Sequence, residues 1–392
     1  MKKVLGVLVL VLLSVCCLAG CKKNKGDVIK LGVVSNLSVA AQFYGEEVVN
    51  GYKLAVDEIN KAGGVEVNGK KMQLELVIKD DATDASTAVT QYNSMADDID
   101  AVLGATITGT SIALSEACNA DGMPMVTPSG TGDRITYDDG KLKSTVFRTC
   151  FIDSYQGTIL AKFAKDKNVK TVVLFENSTS DYSQGITAAF SAGASEYGYT
   201  VVKTLTYDKL DTLKASMASY ATQTLAALPD AVVVPDYTDE VRTVVAALRS
   251  AGYTGIICGG DGWDGVTEGY DHPAYFVNTF YATAIYPNDT AEKVASFYAK
   301  YKAAFNDLPY KDGHSEVPSM FAALAYDAVY LYAEAFKKAG TTDKAEVVKT
   351  LKAITFDGVT GSLTFDSKNN PQKSAPILTF KADGSLEYYK AL

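Results

Sequence analysis

The chain has 392 residues, of which 47% are hydrophobic and 21% charged, and a formal net charge of −9. That length exceeds what one hydrophobic core usually serves, so two domains are expected. The acidic balance argues against nucleic acid as a partner, since phosphate binding needs a basic face.

The first residues read as an export signal. Lys2 and Lys3 precede an apolar run, Val4 to Val15, that is too short for a membrane span. Leu18-Ala19-Gly20-Cys21 follows and resembles the bacterial lipobox, in which the Cys thiol receives a diacylglyceryl group before cleavage. Cys21 is therefore expected to carry a lipid anchor, and residues 21–27 to form a polar tether. Removal of the first 20 residues leaves 372.

From Val28 short apolar runs alternate with amphipathic stretches. Val28–Ser35 reads as a buried strand, and 45–64 as a helix with Val48, Tyr52, Ala55, Val56 and Ile59 on one face. Gly63-Gly64 marks its end. The alternation continues with a strand at 72–80, a helix at 84–98 capped by Thr83 or Asp84, a strand at 99–104, a helix near 111–120 and a strand at 125–127. A second series begins near Asp153. Helices at 154–167, 183–197, 213–225 and 239–250 precede strands at 171–175, 200–206, 231–235 and 255–259 in turn. Such βαβ repetition implies parallel sheets covered by helices. Helices are then expected at 292–305, 319–339 and 344–353, and short antiparallel strands across 361–389.

Enzyme motifs are missing. No GxGxxG follows the first strand, and GxxxxGK[ST], GxSxG and HExxH do not occur. His272 and His314 are the only histidines, both in loop-like surroundings, and are expected at the surface. Asp80-Asp81 stands at a strand end, where carboxylates usually accept backbone N–H bonds. Cys16, Cys17 and Cys21 belong to the signal; Cys118, Cys150 and Cys258 are scattered and form no CxxC pair. They read as buried free thiols, with a disulfide between two of them left open, and no metal site or cofactor is expected.

Several segments in order carry a family resemblance. They are LGVVSNLSVAAQFYGEEVVNGYKLAVDEINKAGGV, LELVIKDDATDASTAV, VLGATITGTSIALSE, MVTPSGTGDRIT, FRTCFIDSYQG, SQGI, GGDGWDG and GSLTFD. Nearly the whole chain beyond the leader resembles the leucine/isoleucine/valine-binding proteins of branched-chain amino-acid ABC transporters. The resemblance implies the type I periplasmic-binding-protein fold, an α/β architecture of two doubly wound, Rossmann-like lobes joined by three crossovers. Lobe one would comprise 28–152 plus 283–361, and lobe two 153–282 plus 362–392. A monomer working with ABC permease subunits, held outside the cytoplasmic membrane by its lipid, is the implied arrangement. The function implied is solute binding, not catalysis.

A buried amino-acid zwitterion needs donors for its carboxylate, an acceptor for its ammonium and an apolar wall. The resemblance assigns Thr108, Ser129 and Thr131 to the carboxylate and amino groups, with Thr106 on the pocket floor. It assigns Asp261, where leucine binders can carry Glu, to the ammonium, and Tyr237, Tyr182 and Tyr44 to the walls. Phe151 and Trp263 are further candidate walls. Where leucine-binding members of the family can carry a disulfide, the matching positions here are Thr83 and Ile107, so that staple is absent. Two alternatives stay open at this level: a sensor of small amides on the same fold, and an extracellular enzyme.

Overall fold

The computed structural model describes residues 28–39, 41–305 and 318–392. The leader, Cys16, Cys17, Cys21, the tether and His314 lie outside the described residues.

The first sheet is built from β1 (Val28–Ser35), β2 (Val65–Val67), β3 (Lys70–Asp80), β4 (Ala101–Gly104), β5 (Met125–Thr127) and β6 (Val146–Arg148), in the order β2-β3-β1-β4-β5-β6. Only the β2–β3 pair is antiparallel. Between the strands run α1 (Gln42–Lys61), α2 (Ala85–Asn93) and α3 (Thr108–Ala120). Gly63 and Gly64 end α1 at positive φ, and the Gly64 N–H returns to the Ile59 carbonyl at 2.9 Å. Asp84 is the N-cap of α2, its carboxylate accepting from Thr87 N at 2.7 Å.

The second sheet takes β7 (Thr171–Asn177), β8 (Thr200–Tyr207), β9 (Ala231–Val233), β10 (Ile256–Gly259) and β11 (Thr279–Ala282), all parallel. The main helices beside them are α4 (Asp153–Asp166), α5 (Asp181–Ala192), α6 (Leu210–Ala227) and α7 (Thr238–Ser250). The chain then forms α8 (Glu292–Phe305), α9 (Met320–Ala339), α10 (Lys344–Ala353) and the hairpin β12 (Phe356–Gly358) and β13 (Gly361–Leu363). It ends in β14 (Pro376–Phe380) and β15 (Leu386–Ala391), which extend the second sheet antiparallel beyond β11.

The chain thus passes between the sheets three times: from Arg148 to Asp153, after Ala282, and between Leu363 and Pro376. Helix α9 is the central prop of the first lobe. Its residues Ala322 to Ala325 are fully buried, and a Cβ on Gly51 of α1 would lie 2.2 Å from the Ala322 carbonyl oxygen. Only glycine lets the two helices approach so closely. Asp327 of α9 holds the turn of the β12–β13 hairpin, accepting from Val359 N at 2.7 Å and Thr360 N at 2.8 Å.

Several boundaries differ from the expectations. The helix expected at 84–98 stops at Asn93 and continues as turns, because Asp97-Asp98 would place negative charge at the negative end of the helix. The helix expected at 183–197 breaks at Gly193 into two pieces. Strands β2, β6 and β11 were not expected. Each has three or four residues, and β6 and β11 are buried throughout and show no alternation. Cys118, Cys150 and Cys258 are free and buried, which closes the disulfide alternative for these three.

Candidate functional site

The two sheets point their carboxyl ends at one cleft, the place where open α/β sheets present loops to ligands. Tyr44, Thr106, Ile107, Thr108, Ser129, Thr131 and Phe321 line it from the first lobe, and Tyr182, Tyr237, Asp261 and Gly262 from the second. They close tightly on one another around a small gap. Wider hollows exist at the surface, such as one beside Glu58 and Tyr330, but that one belongs to the first lobe alone.

The first-lobe wall consists of hydroxyls on strand ends. Beyond β4 the chain turns at Ala105 into Thr106, and α3 starts at Thr108. Most of these hydroxyls serve the backbone. Thr127 Oγ1 donates to Ala105 O at 2.7 Å, Ser129 Oγ to Thr106 O at 2.9 Å, and Ser111 Oγ to Ala105 O at 2.9 Å. Thr108 and Thr131 face each other with oxygens 3.3 Å apart, long for an O–H···O bond. A stronger acceptor entering the cleft can therefore accept hydrogen bonds from both hydroxyls. Behind this wall Arg148 is fully buried and donates to the carbonyls of Gly130 and Gly132, both at 2.9 Å.

The second-lobe wall is a tight turn under aromatic rings. After β10 the chain reads Gly260-Asp261-Gly262-Trp263. A Cβ on Gly260 would stand 2.6 Å from both Gln156 Oε1 and the Tyr182 hydroxyl. Glycine thus lets the turn press against them. Asp261 N donates to Gln156 Oε1 at 2.9 Å, and Gly262 N to the Tyr182 hydroxyl at 2.8 Å. Asp261 is 2% exposed, and its Oδ2 has no hydrogen-bond partner. Burial pushes its carboxyl up to about 7, against the bonds from Tyr182 and Gln156.

Tyr182 stacks on Tyr237 with centroids 5.2 Å apart, and Tyr44 meets Tyr237 at 5.4 Å and Phe321 at 5.2 Å. Tyr44 also bridges the lobes: its hydroxyl donates to Gly262 O at 2.7 Å and accepts from Thr238 N at 3.0 Å. Eight of the ten residues singled out from sequence therefore meet at this cavity. Phe151 and Trp263 do not. Phe151 borders a separate hollow with Ile152 and Tyr155. Trp263 is fully buried behind the turn, its indole N–H donating to Val234 O at 2.8 Å.

Sequence reasoning missed Phe321, Gln156 and Asp153. Gln156 and Asp153 stand in the FIDSYQG segment, which was itself noticed. Asp153 is fully buried, with Oδ2 unpartnered and Oδ1 accepting from Gln156 Nε2 at 3.4 Å. Burial holds its carboxyl well above the usual range, helped by the charge of Asp261 and opposed by the Thr131 hydroxyl. Asp80 and Asp81 do backbone work, accepting from Leu37 N and Thr83 N, both at 2.9 Å. His272 is exposed beside Tyr275. Among the described residues no group of acids, cysteines and histidines is arranged to hold a metal, and no helix is long and apolar enough to cross a membrane.

The arrangement offers neutral donors at one end, an unpartnered buried acid at the other and aromatic sides between. Known proteins share the fold. A family profile described as "Periplasmic binding protein" matches residues 28–385. The chain is 27% identical over 353 residues to the leucine-, isoleucine-, valine-, threonine-, and alanine-binding protein of Pseudomonas aeruginosa, covering 88% of this chain and 87% of that one. The structure of the branched-chain amino-acid transporter substrate-binding protein LivJ from Streptococcus pneumoniae, in complex with isoleucine, superposes with a TM-score of 0.80. It is 30% identical and covers 93% of this chain and 99% of its own. A Rhodopseudomonas palustris solute-binding protein in complex with benzoate has the same fold, with a TM-score of 0.78, 19% identity, and coverage of 93% and 96%.

Proposed function

Because the chain belongs to the periplasmic binding protein family, we propose that it is the extracytoplasmic binding component of an ABC importer and carries a branched-chain amino acid between its lobes. One observation supports this reading above the others: Asp261 is a buried carboxylate with an unpartnered oxygen, facing a small cavity whose opposite wall is made of hydroxyls. An ammonium completes Asp261, and a carboxylate accepts hydrogen bonds from the hydroxyls of Thr108 and Thr131. The tyrosines and Phe321 bound the side chain. A ligand without a cation, such as an aromatic acid or a simple amide, would leave the acid buried and unanswered. The named relatives bind leucine, isoleucine, valine and small neighbours, in keeping with such a cavity.

The finer assignments belong to the same proposal. Thr108, Ser129 and Thr131 hold the carboxylate side, Asp261 holds the ammonium, and Thr106, Tyr44, Tyr182 and Tyr237 shape the rest. The lobes divide at the three crossings and close by hinge motion there; the third boundary falls after Leu363 rather than after 361, because 361–363 pair with Phe356–Gly358. Cys21 carries the lipid that keeps the receptor beside its permease. A thermal-shift screen of the leaderless protein against the twenty amino acids tests the reading. A ligand at 100 times its Kd raises stability by ~2.7 kcal/mol. Leucine, isoleucine or valine should give the largest shift; a shift with benzoate or an amide and none with any amino acid would refute it.

A further inference from the structure

Three residues beyond Asp261, the same turn carries a second buried carboxylate with different partners. Asp264 is 6% exposed. Its Oδ1 accepts from the Tyr281 hydroxyl at 3.4 Å, within the second lobe. Its Oδ2 accepts from the backbone N–H of Met320 at 2.5 Å, and Met320 is the first residue of α9 in the first lobe. The neighbouring N–H, on Ser319, donates to Glu47 Oε2 at 2.8 Å. Glu47 lies on α1, and its other oxygen accepts from Tyr301 at 2.8 Å. Ser319 itself makes no side-chain cap.

Two consecutive N–H groups at one helix start are therefore satisfied from opposite lobes. A helix start presents unsatisfied donors and a partial positive charge, so either carboxylate is stabilised there. Glu47 and α9 belong to the same lobe, and their bond does not depend on how the lobes stand. Asp264 rides on the turn that bears Asp261, so its bond exists only while the lobes are together. Like charges at one helix start also repel, and Glu47 is among the groups that raise the Asp264 carboxyl. Asp264 is thus the detachable member of the pair. The residue after Met320 is Phe321, a cavity wall.

We propose that Asp264 is a positioning residue for ligand capture. Docked on the start of α9, it fixes the Asp261 turn against the cavity and slows ligand escape. The inference rests on the amino-acid reading for its ligand, but the latch itself is a property of the two lobes.

Asp264→Ala and Asp264→Asn are compared with the parent protein by stopped-flow release of leucine and by the distance distribution between spin labels, one on each lobe. Loss of a charged hydrogen bond should speed release by about tenfold or more in Asp264→Ala, with association changed less than about twofold. The closed population should fall with and without leucine. Asp264→Asn keeps an oxygen that accepts from Met320 N–H and should restore most of both. Unchanged release and unchanged distances in Asp264→Ala overturn the proposal. Equal losses in both variants, with a lowered melting temperature, also overturn it, since they mark support of the second lobe only. If Asp264→Ala does not fold, Met320→Pro removes the same N–H from the other side, because proline is tolerated as a first helical residue. Met320→Leu controls for the Met320 sulfur, which accepts from Thr283 and Ala284. An open shift in the proline variant alone supports the latch; none overturns it. If the parent binds none of the twenty amino acids, the amino-acid reading fails, while the ligand-free distances still decide this one.

Discussion

The two walls of the cavity solve opposite problems by opposite means. The first lobe offers neutral hydroxyls fixed to strand-end backbone, as Ser129 is to Thr106 and Thr127 to Ala105. The second offers a charge-bearing group, Asp261, under stacked rings. Neutral donors lose little when empty, because they bond to each other, as Thr108 and Thr131 do. A buried acid cannot do so, and its empty state is strained toward protonation. The comparison teaches that the ligand-free protein stores its unfavourable energy on one wall, which makes that wall the one most rewarded by ligand.

Breaking the acidic wall should have the largest effect. Asp261→Asn keeps the shape and removes the charge, and the leucine Kd should rise by roughly 100-fold, the scale of a charge-assisted bond. Isothermal calorimetry measures it, and a change below threefold would contradict the assignment. Next comes pH. The Asp261 carboxyl is raised from 3.8 to about 7, so a proton competes with the ammonium below that pH. Affinity should weaken by about tenfold per unit as pH falls below 7. Stability of the empty protein carries the opposite sign. The folded state holds this proton where the unfolded chain has released it, so the Asp261 contribution falls as pH rises from 3.8 toward 7. Melting curves with and without leucine across that interval should diverge as pH rises. On the neutral wall, Thr131→Ala or Thr108→Ala should weaken binding by up to about tenfold each, with no change in the pH profile. The smallest effect is expected from reductant: with Cys118, Cys150 and Cys258 free, dithiothreitol should leave the melting temperature unchanged.

The sequence revealed long elements better than short ones. Lys344–Ala353 was read to the residue, because Asp343 caps it through Ala345 N and Glu346 N and its apolar face recurs at helical spacing. Val146–Arg148 and Thr279–Ala282 were invisible, since their role as strands is set by neighbours already in the sheet. The site was legible where a strand end precedes a helix, and the family resemblance named those positions. Phe321 was not, because α9 reaches the cavity from a distant part of the chain. Trp263 was misjudged as a wall because adjacency to Asp261 says nothing about which side of the turn faces the core. Its indole N–H needed a buried acceptor and found Val234 O.

The antiparallel edge of the second sheet bears on the order in which the molecule assembles. Strand β11 is covered on one side by β10 and on the other by Pro376–Phe380, with Leu386–Ala391 outermost. The first sheet is complete by Arg148, but its central prop begins only at Met320. Both cores therefore include elements contributed late in the chain. Both wait for the C-terminal part, and contacts across so many residues form slowly. A chain that stays unfinished until its end remains threadable, which is the condition a polypeptide must satisfy to cross a membrane before it folds.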